Sequence, residues 1–461
     1  MGVDLKLGAS RLIGLSALWV FIFVYITFAC TNISSYIRYI CSQFLEYAPM
    51  TAVGSLIILA IITSGCFGVY LRLRQIQNVS RNRNTVPQDF VREVSLSDHQ
   101  RAADYTIERT RFGIAELVFD TLISILWLTA WLSPLYLFVA HYSESSITRS
   151  VMVVLSFGII SHFLEMPFSL FNSFWIEEKF GFNRLTLKTF ILDELKTSLL
   201  TCIIMIPALY AMFALLGALP NTWWIFSYAT FMTLTVAMTV IYPTLIAPLF
   251  NKFTPMGEGA TKERMESLLL KCGFESKGLF IMDASKRSAH GNAYFSGFGK
   301  GKRIVFFDTL LEKHTLEEIE SILAHELGHF KYGHVFQIIV QSAVLAFIAF
   351  FAIYYAFSSG IISNWFNLQN DPGVVLIALL LAKEPISLIL TPVLSWRSRK
   401  AEFEADDFAR KIVGQEAMVS ALTRLTRDNL ASLTPDPLFA AFYFSHPPVP
   451  LRVAQLRIEI S

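Results

Sequence analysis

Apolar runs of about 20 residues, the length that crosses a bilayer as a helix, recur along this chain. They lie at 12–30, 51–71, 114–140, 150–173, 198–217, 223–249, 335–358 and 374–395. The run at 12–30 is longer than the apolar stretch of a secretory signal and has no small-x-small cleavage site, so it reads as a span. Two polar intervals, 250–334 and 396–461, break the pattern. Within the first, Ala260 to Lys271 reads as a helix and Gly278 to Asp283 as a short strand. Asn292 to Phe298 and Arg303 to Phe307 read as the strands of a hairpin, turned by Gly299-Lys300-Gly301-Lys302. Thr315 with Glu318 three residues on forms a capping box. It opens a further helix whose apolar side carries Ile319, Ile322 and Leu323.

The expectation is a mainly α protein with many membrane spans and a small α+β part. Its divisions are a further N-terminal span and loop at 1–50, a membrane-span domain at 51–250, and a polar segment with hairpin and capped helix at 251–334. Two more spans at 335–397 and a C-terminal segment at 398–461 complete it. Composition agrees: 54% of residues are hydrophobic and 16% charged, against about 25% charged in soluble domains. The bilayer is therefore one partner. A net charge of +2 gives no reason to expect nucleic acid. Cys30, Cys41, Cys66, Cys202 and Cys272 are scattered and form no CxxC, which predicts neither a disulfide framework nor a cysteine metal site. The ending Arg-Ile-Glu-Ile-Ser carries no prenylation signal of its own.

Charge between the spans sets orientation. Residues 73–111 hold Arg74, Arg81, Arg83, Arg92, Arg101, Arg109 and Arg111, and 174–197 hold Lys179, Arg184, Lys188 and Lys196. The loop 31–50 has Arg38 alone, 141–149 has Arg149 alone, and 218–222 and 359–373 have neither Lys nor Arg. Basic loops stay cytoplasmic, so eight spans put both termini and both polar intervals on the cytoplasmic side. Glu116, Asp120, His162, Glu165 and Glu384 lie in or beside apolar runs. Ionisable groups at that depth face a protein interior or a water-filled cavity, so the bundle is not expected to be dry.

The chemistry sits on the capped helix as His325-Glu326-Leu327-Gly328-His329. Positions i and i+4 share a helix face, so both imidazoles reach one zinc ion, with Glu326 beside them as base for a water. Such a site needs a third protein ligand. The helical segment Ala401-Glu402-Phe403-Glu404-Ala405-Asp406 offers Glu402 for that place, with Asp406 at i+4 to accept the free ring N–H of a zinc histidine. Glu404 shares its face with Phe408 and reads as a packing position. His446, between Ser445 and two prolines, is a candidate to donate to a developing oxyanion. His334 lies one residue beyond i+4 from His329 and reads as structural, and His314 as exposed. The hairpin strand with Asn292, Ala293, Tyr294 and Phe295 is a candidate to hold a substrate backbone by strand addition.

HELGH, then EFxAD after two spans, with NAYF before and SHPP after, resembles the membrane-embedded type I CAAX prenyl proteases, the Ste24 family. Further matching stretches are Glu177 to Asn183, Ile246 to Pro255, Ser285 to Ser288 and Lys302 to Leu311. The resemblance covers about residue 51 to the end. It implies a barrel of membrane helices around a water-filled chamber and a small zincin-like catalytic part. It also implies one zinc ion per chain on His325, His329 and Glu402, and removal of the last three residues from a prenylated cysteine. That family usually has seven spans, so 12–30 looks added, and the loop before HELGH lacks the charged insertion of some relatives. The alternatives left open are quality control of membrane proteins, as in the bacterial heat-shock relative HtpX, and a non-enzymatic transporter or channel. A peptide or protein substrate and a monomer are expected. The short loop and compact ending favour a bacterial inner membrane, with the endoplasmic reticulum as the eukaryotic counterpart.

Overall fold

The computed structural model describes residues 51–276, 278–296 and 303–458. The expected span at 12–30, Cys30, Cys41 and the 299–302 turn lie outside the described residues. Among those described, six helices are long and apolar enough to cross a membrane. They are Ala52–Asn82, Leu96–Tyr142, Ser146–Glu177, Leu187–Ala218, Trp223–Phe250 and His334–Ser359. At most 28% of the most apolar window of any of them is buried, so their side chains need lipid rather than water around them.

The eighth expected span, 374–395, is not one helix. Pro372–Ala382 and Glu384–Val413 meet at a 52° bend. Pro385 has no N–H to donate back up the chain and starts a new helix in its first turn. The second of these helices runs on past the apolar stretch and carries Glu402 and Asp406.

Contacts sort the loops into two ends. At one end, Thr51 N–H donates to Trp365 O at 3.2 Å, the Ser150 hydroxyl to Asp371 at 2.9 Å, and Trp224 stacks on Tyr354. At the other, Arg74 pairs with Asp436 and Arg457 with Asp89, and Arg184 N–H donates to Arg287 O. The arginine-rich 73–111 segment starts at the end that also holds both polar intervals. Between the helices lie cavities of about 240 and 370 Å³. Arg72 and Asp120 line both, Glu384 the first, and Glu116 and Glu165 the second. His162 instead pairs with Glu194 at 3.3 Å.

The polar intervals form a separate core. A four-stranded sheet has the order β1-β2-β4-β3, with β1 Phe253–Pro255, β2 Leu279–Met282, β3 Ala293–Ser296 and β4 Arg303–Phe307. β2 and β4 are parallel and the other pairs antiparallel, which makes β3 an edge. Phe306, Leu310, Leu323 and Leu327 pack with Ala409, Met418 and Leu422. Each large side chain buried there contributes about 1.5–3 kcal/mol, and together they press the helix Leu316–Lys331 against Glu384–Val413.

Candidate metal centre

The helix Leu316–Lys331 begins with a complete capping box. The Glu318 carboxylate accepts the Thr315 backbone N–H at 2.9 Å and also the Arg424 guanidinium and the Ser420 hydroxyl. Burial opposes the charge on Glu318, but these donors outweigh it and hold its carboxyl below the usual carboxylate range. With its start anchored, the helix presents His325 and His329 on one face. The two ring Nε2 atoms stand 3.2 Å apart.

Glu402 reaches in from the crossing helix. Its Oε1 is 3.3 Å from His329 Nε2 and its Oε2 is 3.5 Å from His325 Nε2. One ligand atom from each of His325, His329 and Glu402 lies within 4.8 Å of the others. Glu402 Oε2 is buried and accepts no hydrogen bond. Two imidazole nitrogens and an orphaned carboxylate oxygen converging on one point are a donor set that fits a tetrahedral cation.

The surroundings orient these donors. His325 Nδ1 lies 2.8 Å from Asp406 Oδ1. Burial would lower the His325 pKa, but Asp406 and Glu402 reverse this and raise it to about 9. Burial pushes the neighbouring Glu326 carboxyl up. Asp406 is held in turn by Arg452, whose Nε donates to Oδ2 at 2.7 Å and whose second amine donates to Oδ1. Arg452 also stands 3.6 Å from Glu402. Sequence reasoning missed Arg452, although a signal was there. In the helix Val449–Leu456 the buried positions are Arg452, Val453 and Leu456, so the charge sits on the apolar face.

Two residues lie differently from their sequence reading. The helix ends at Lys331, and Gly333 adopts a left-handed φ of +66°, so His334 starts a new helix. Helical spacing from His329 therefore does not apply to it. Its ring returns toward the site, with Nδ1 2.9 Å from His329 Nδ1. Glu404, read as a packing position, meets His334 Nε2 at 3.0 Å. His314 is a further correction: it is buried, with Nδ1 3.2 Å from Leu310 O.

His446 stands at the open side of the cluster, 67% exposed, with Nε2 3.4 Å from Glu402 Oε1. Ser445 Oγ is 3.0 Å from its Nδ1. Ala293, Tyr294 and Phe295 lie on edge strand β3. Asn292 precedes it; its backbone carbonyl accepts Phe307 N–H at 3.0 Å and its side-chain oxygen accepts Ala293 N–H at 2.9 Å.

The chain matches known proteins along most of its length. Residues 75–252 match the family described as CAAX prenyl protease N-terminal, five membrane helices, and residues 255–460 match peptidase family M48. The chain is 33% identical over 402 residues to the CAAX prenyl protease 1 homolog of Oryza sativa, covering 85% of this chain and 94% of the relative. It is 31% identical over 419 residues to CAAX prenyl protease 1 of Saccharomyces cerevisiae, covering 85% and 92%. The crystal structure of S. mikatae Ste24p superposes with a TM-score of 0.83 at 27% identity, over 89% of this chain and all of that one.

Proposed function

The chain belongs to the M48 metallopeptidases of the CAAX prenyl protease 1 type, and from that premise we propose that it is a zinc endopeptidase of the gluzincin kind. Its ligands would be His325, His329 and Glu402, one ion per chain. The observation that carries this is the convergence of two Nε2 atoms 3.2 Å apart on the Glu402 carboxylate, whose buried Oε2 accepts no hydrogen bond. When bound, zinc supplies Lewis acidity toward a water and toward the scissile carbonyl.

The chain's own residues do the rest. Glu326, adjacent to the ligands, takes a proton from the attacking water and returns it to the leaving amine. Its raised proton affinity suits that exchange better than an ordinary solvated carboxylate would. Asp406 accepts the His325 Nδ1 proton, which leaves Nε2 as the atom that gives up its proton and faces the metal when the ion binds. His446 stands where it can donate to the oxygen that gains charge. Edge strand β3, with Asn292 at its start, would take the substrate backbone as an added strand.

The names of the relatives support a prenylated CAAX protein as substrate, cut to release its last three residues. The basic loops at the catalytic end support a cytoplasmic site. Purified protein in detergent, assayed on a farnesylated CAAX peptide and its unprenylated twin with and without a zinc chelator, tests the whole reading. Cleavage of the farnesylated peptide that the chelator stops is expected. Cleavage unaffected by the chelator, or absent from both peptides, would overturn it.

A further inference from the structure

His325 and His329 have different supports. Behind His325 stand a carboxylate and an arginine, both buried. Behind His329 stands another imidazole. His329 Nδ1 is 2.9 Å from His334 Nδ1, and His334 Nε2 is 3.0 Å from Glu404 Oε2. His334 is buried, whereas the Glu404 side chain is 41% exposed.

The proton count in this row has a single solution when both imidazoles are neutral. A carboxylate only accepts, so the proton between His334 and Glu404 belongs to His334 Nε2. His334 Nδ1 is then a lone pair, and the proton between the two Nδ1 atoms belongs to His329. That leaves His329 Nε2 bare and facing His325 Nε2 and Glu402 Oε1, the state a metal ligand requires. With the row reversed, His329 Nε2 would carry the proton and block the site.

We infer that Glu404, acting through His334, is a positioning residue that fixes the tautomer and ring angle of His329 for zinc. The inference rests on the zinc reading above and adds a second oriented ligand to it. Neither residue is among the converging donors or on edge strand β3. Their loss therefore acts on metal affinity and turnover and leaves peptide binding alone. The helix carrying Glu402 supplies Asp406 and Glu404 as well, so one helix contributes a ligand and the outer support of both histidines.

The experiment compares wild type, Glu404→Ala, Glu404→Gln and His334→Phe, each purified in detergent and loaded with zinc. Zinc dissociation constants come from competition with a coloured chelator, and unfolding midpoints from the metal-free forms. Glu404→Ala and His334→Phe are expected to weaken zinc by about 10–100-fold, with kcat reduced and KM for peptide unchanged. Glu404→Gln keeps a carbonyl oxygen for His334 Nε2 and should recover most of the affinity. Because Glu404 is half exposed, its alanine variant should keep the wild-type midpoint and decides the matter even if His334→Phe folds poorly. Unchanged zinc affinity in Glu404→Ala, or a glutamine variant no better than alanine, would overturn this inference alone. A wild-type chain that takes up no zinc would overturn it together with the reading beneath it.

Discussion

Gly328 meets Ala405 where the helix of His325 and His329 crosses the helix of Glu402. A Cβ built on Gly328 would lie 2.8 Å from Ala405 Cα and 3.1 Å from its carbonyl oxygen. Those are backbone atoms and cannot swing aside. Glycine inside HELGH thus sets the distance between the two ligand-bearing helices. Gly328→Ala should force them apart, at a cost of about 1–3 kcal/mol for overpacking, and draw Glu402 away from both histidines. Loss of zinc by elemental analysis with the protein still folded is expected. An alanine variant with full zinc content would show that the contact relaxes elsewhere.

Much of this site was legible because its donors repeat at helical spacing. His325 with His329 and Glu402 with Asp406 are both i, i+4 pairs within unbroken helices, so their shared faces follow from the 3.6-residue turn. Spacing failed where the chain turns. The left-handed Gly333 resets the phase before His334, and the spacing of Glu404 along its own helix says nothing of the neighbouring ring that it meets. Strand positions within the hairpin were readable from alternation and glycine placement. The bend at Lys383 is harder to read, since the apolar residues on its two sides together are long enough for one span, while Pro385 breaks the helix.

Glu326→Gln separates the base from the ligands. Glu326 is not among the residues whose donor atoms converge, so the variant should keep zinc and lose proteolysis. Zinc stoichiometry measured beside turnover checks it. Retained turnover would remove the proposed role of the side chain.

Stability should report on Glu318 through pH. Its folded carboxyl titrates below the unfolded value, which is about 4.3 for glutamate. Its contribution is therefore complete above that value and fades as pH falls through the folded one. Glu318→Gln should lower stability at pH 7 by about 1.5–3 kcal/mol, the scale of hydrogen bonds to a charged group. The gap to wild type should close on acidification toward pH 3. Thermal unfolding of both proteins across pH 3–7 in detergent measures this, and a constant gap would contradict it.

Topology can be tested without activity. The loop 83–95, beside Asp89 and Arg457, should be cytoplasmic, and 359–371, beside Thr51 and Ser150, should lie across the membrane. Single cysteines placed in each loop should react with a membrane-impermeant reagent from opposite sides. Labelling of both from one side would contradict the two-ended arrangement.

The last prediction concerns what Arg452 does that Asp406 does not. Their side chains are 9% and 2% exposed, and the guanidinium takes both carboxylate oxygens. Removing one partner of a buried ion pair costs about 3–5 kcal/mol, because the other is left charged without water. Arg452→Met should therefore destabilise strongly. Asp406 still accepts the His325 Nδ1 proton in that variant, so zinc should stay bound. Asp406→Asn should do the reverse in part: its own acceptor for His325 is weakened, and zinc affinity should fall about 10–100-fold. Joining the two substitutions removes both charges, so the double variant should be more stable than the sum of the single losses implies. A double-mutant cycle on unfolding free energy, with zinc affinity measured for each protein, resolves the two roles. Additive losses of stability would mean that the pair is not coupled. Loss of zinc in Arg452→Met would mean that the arginine, and not Asp406 alone, holds His325 in place.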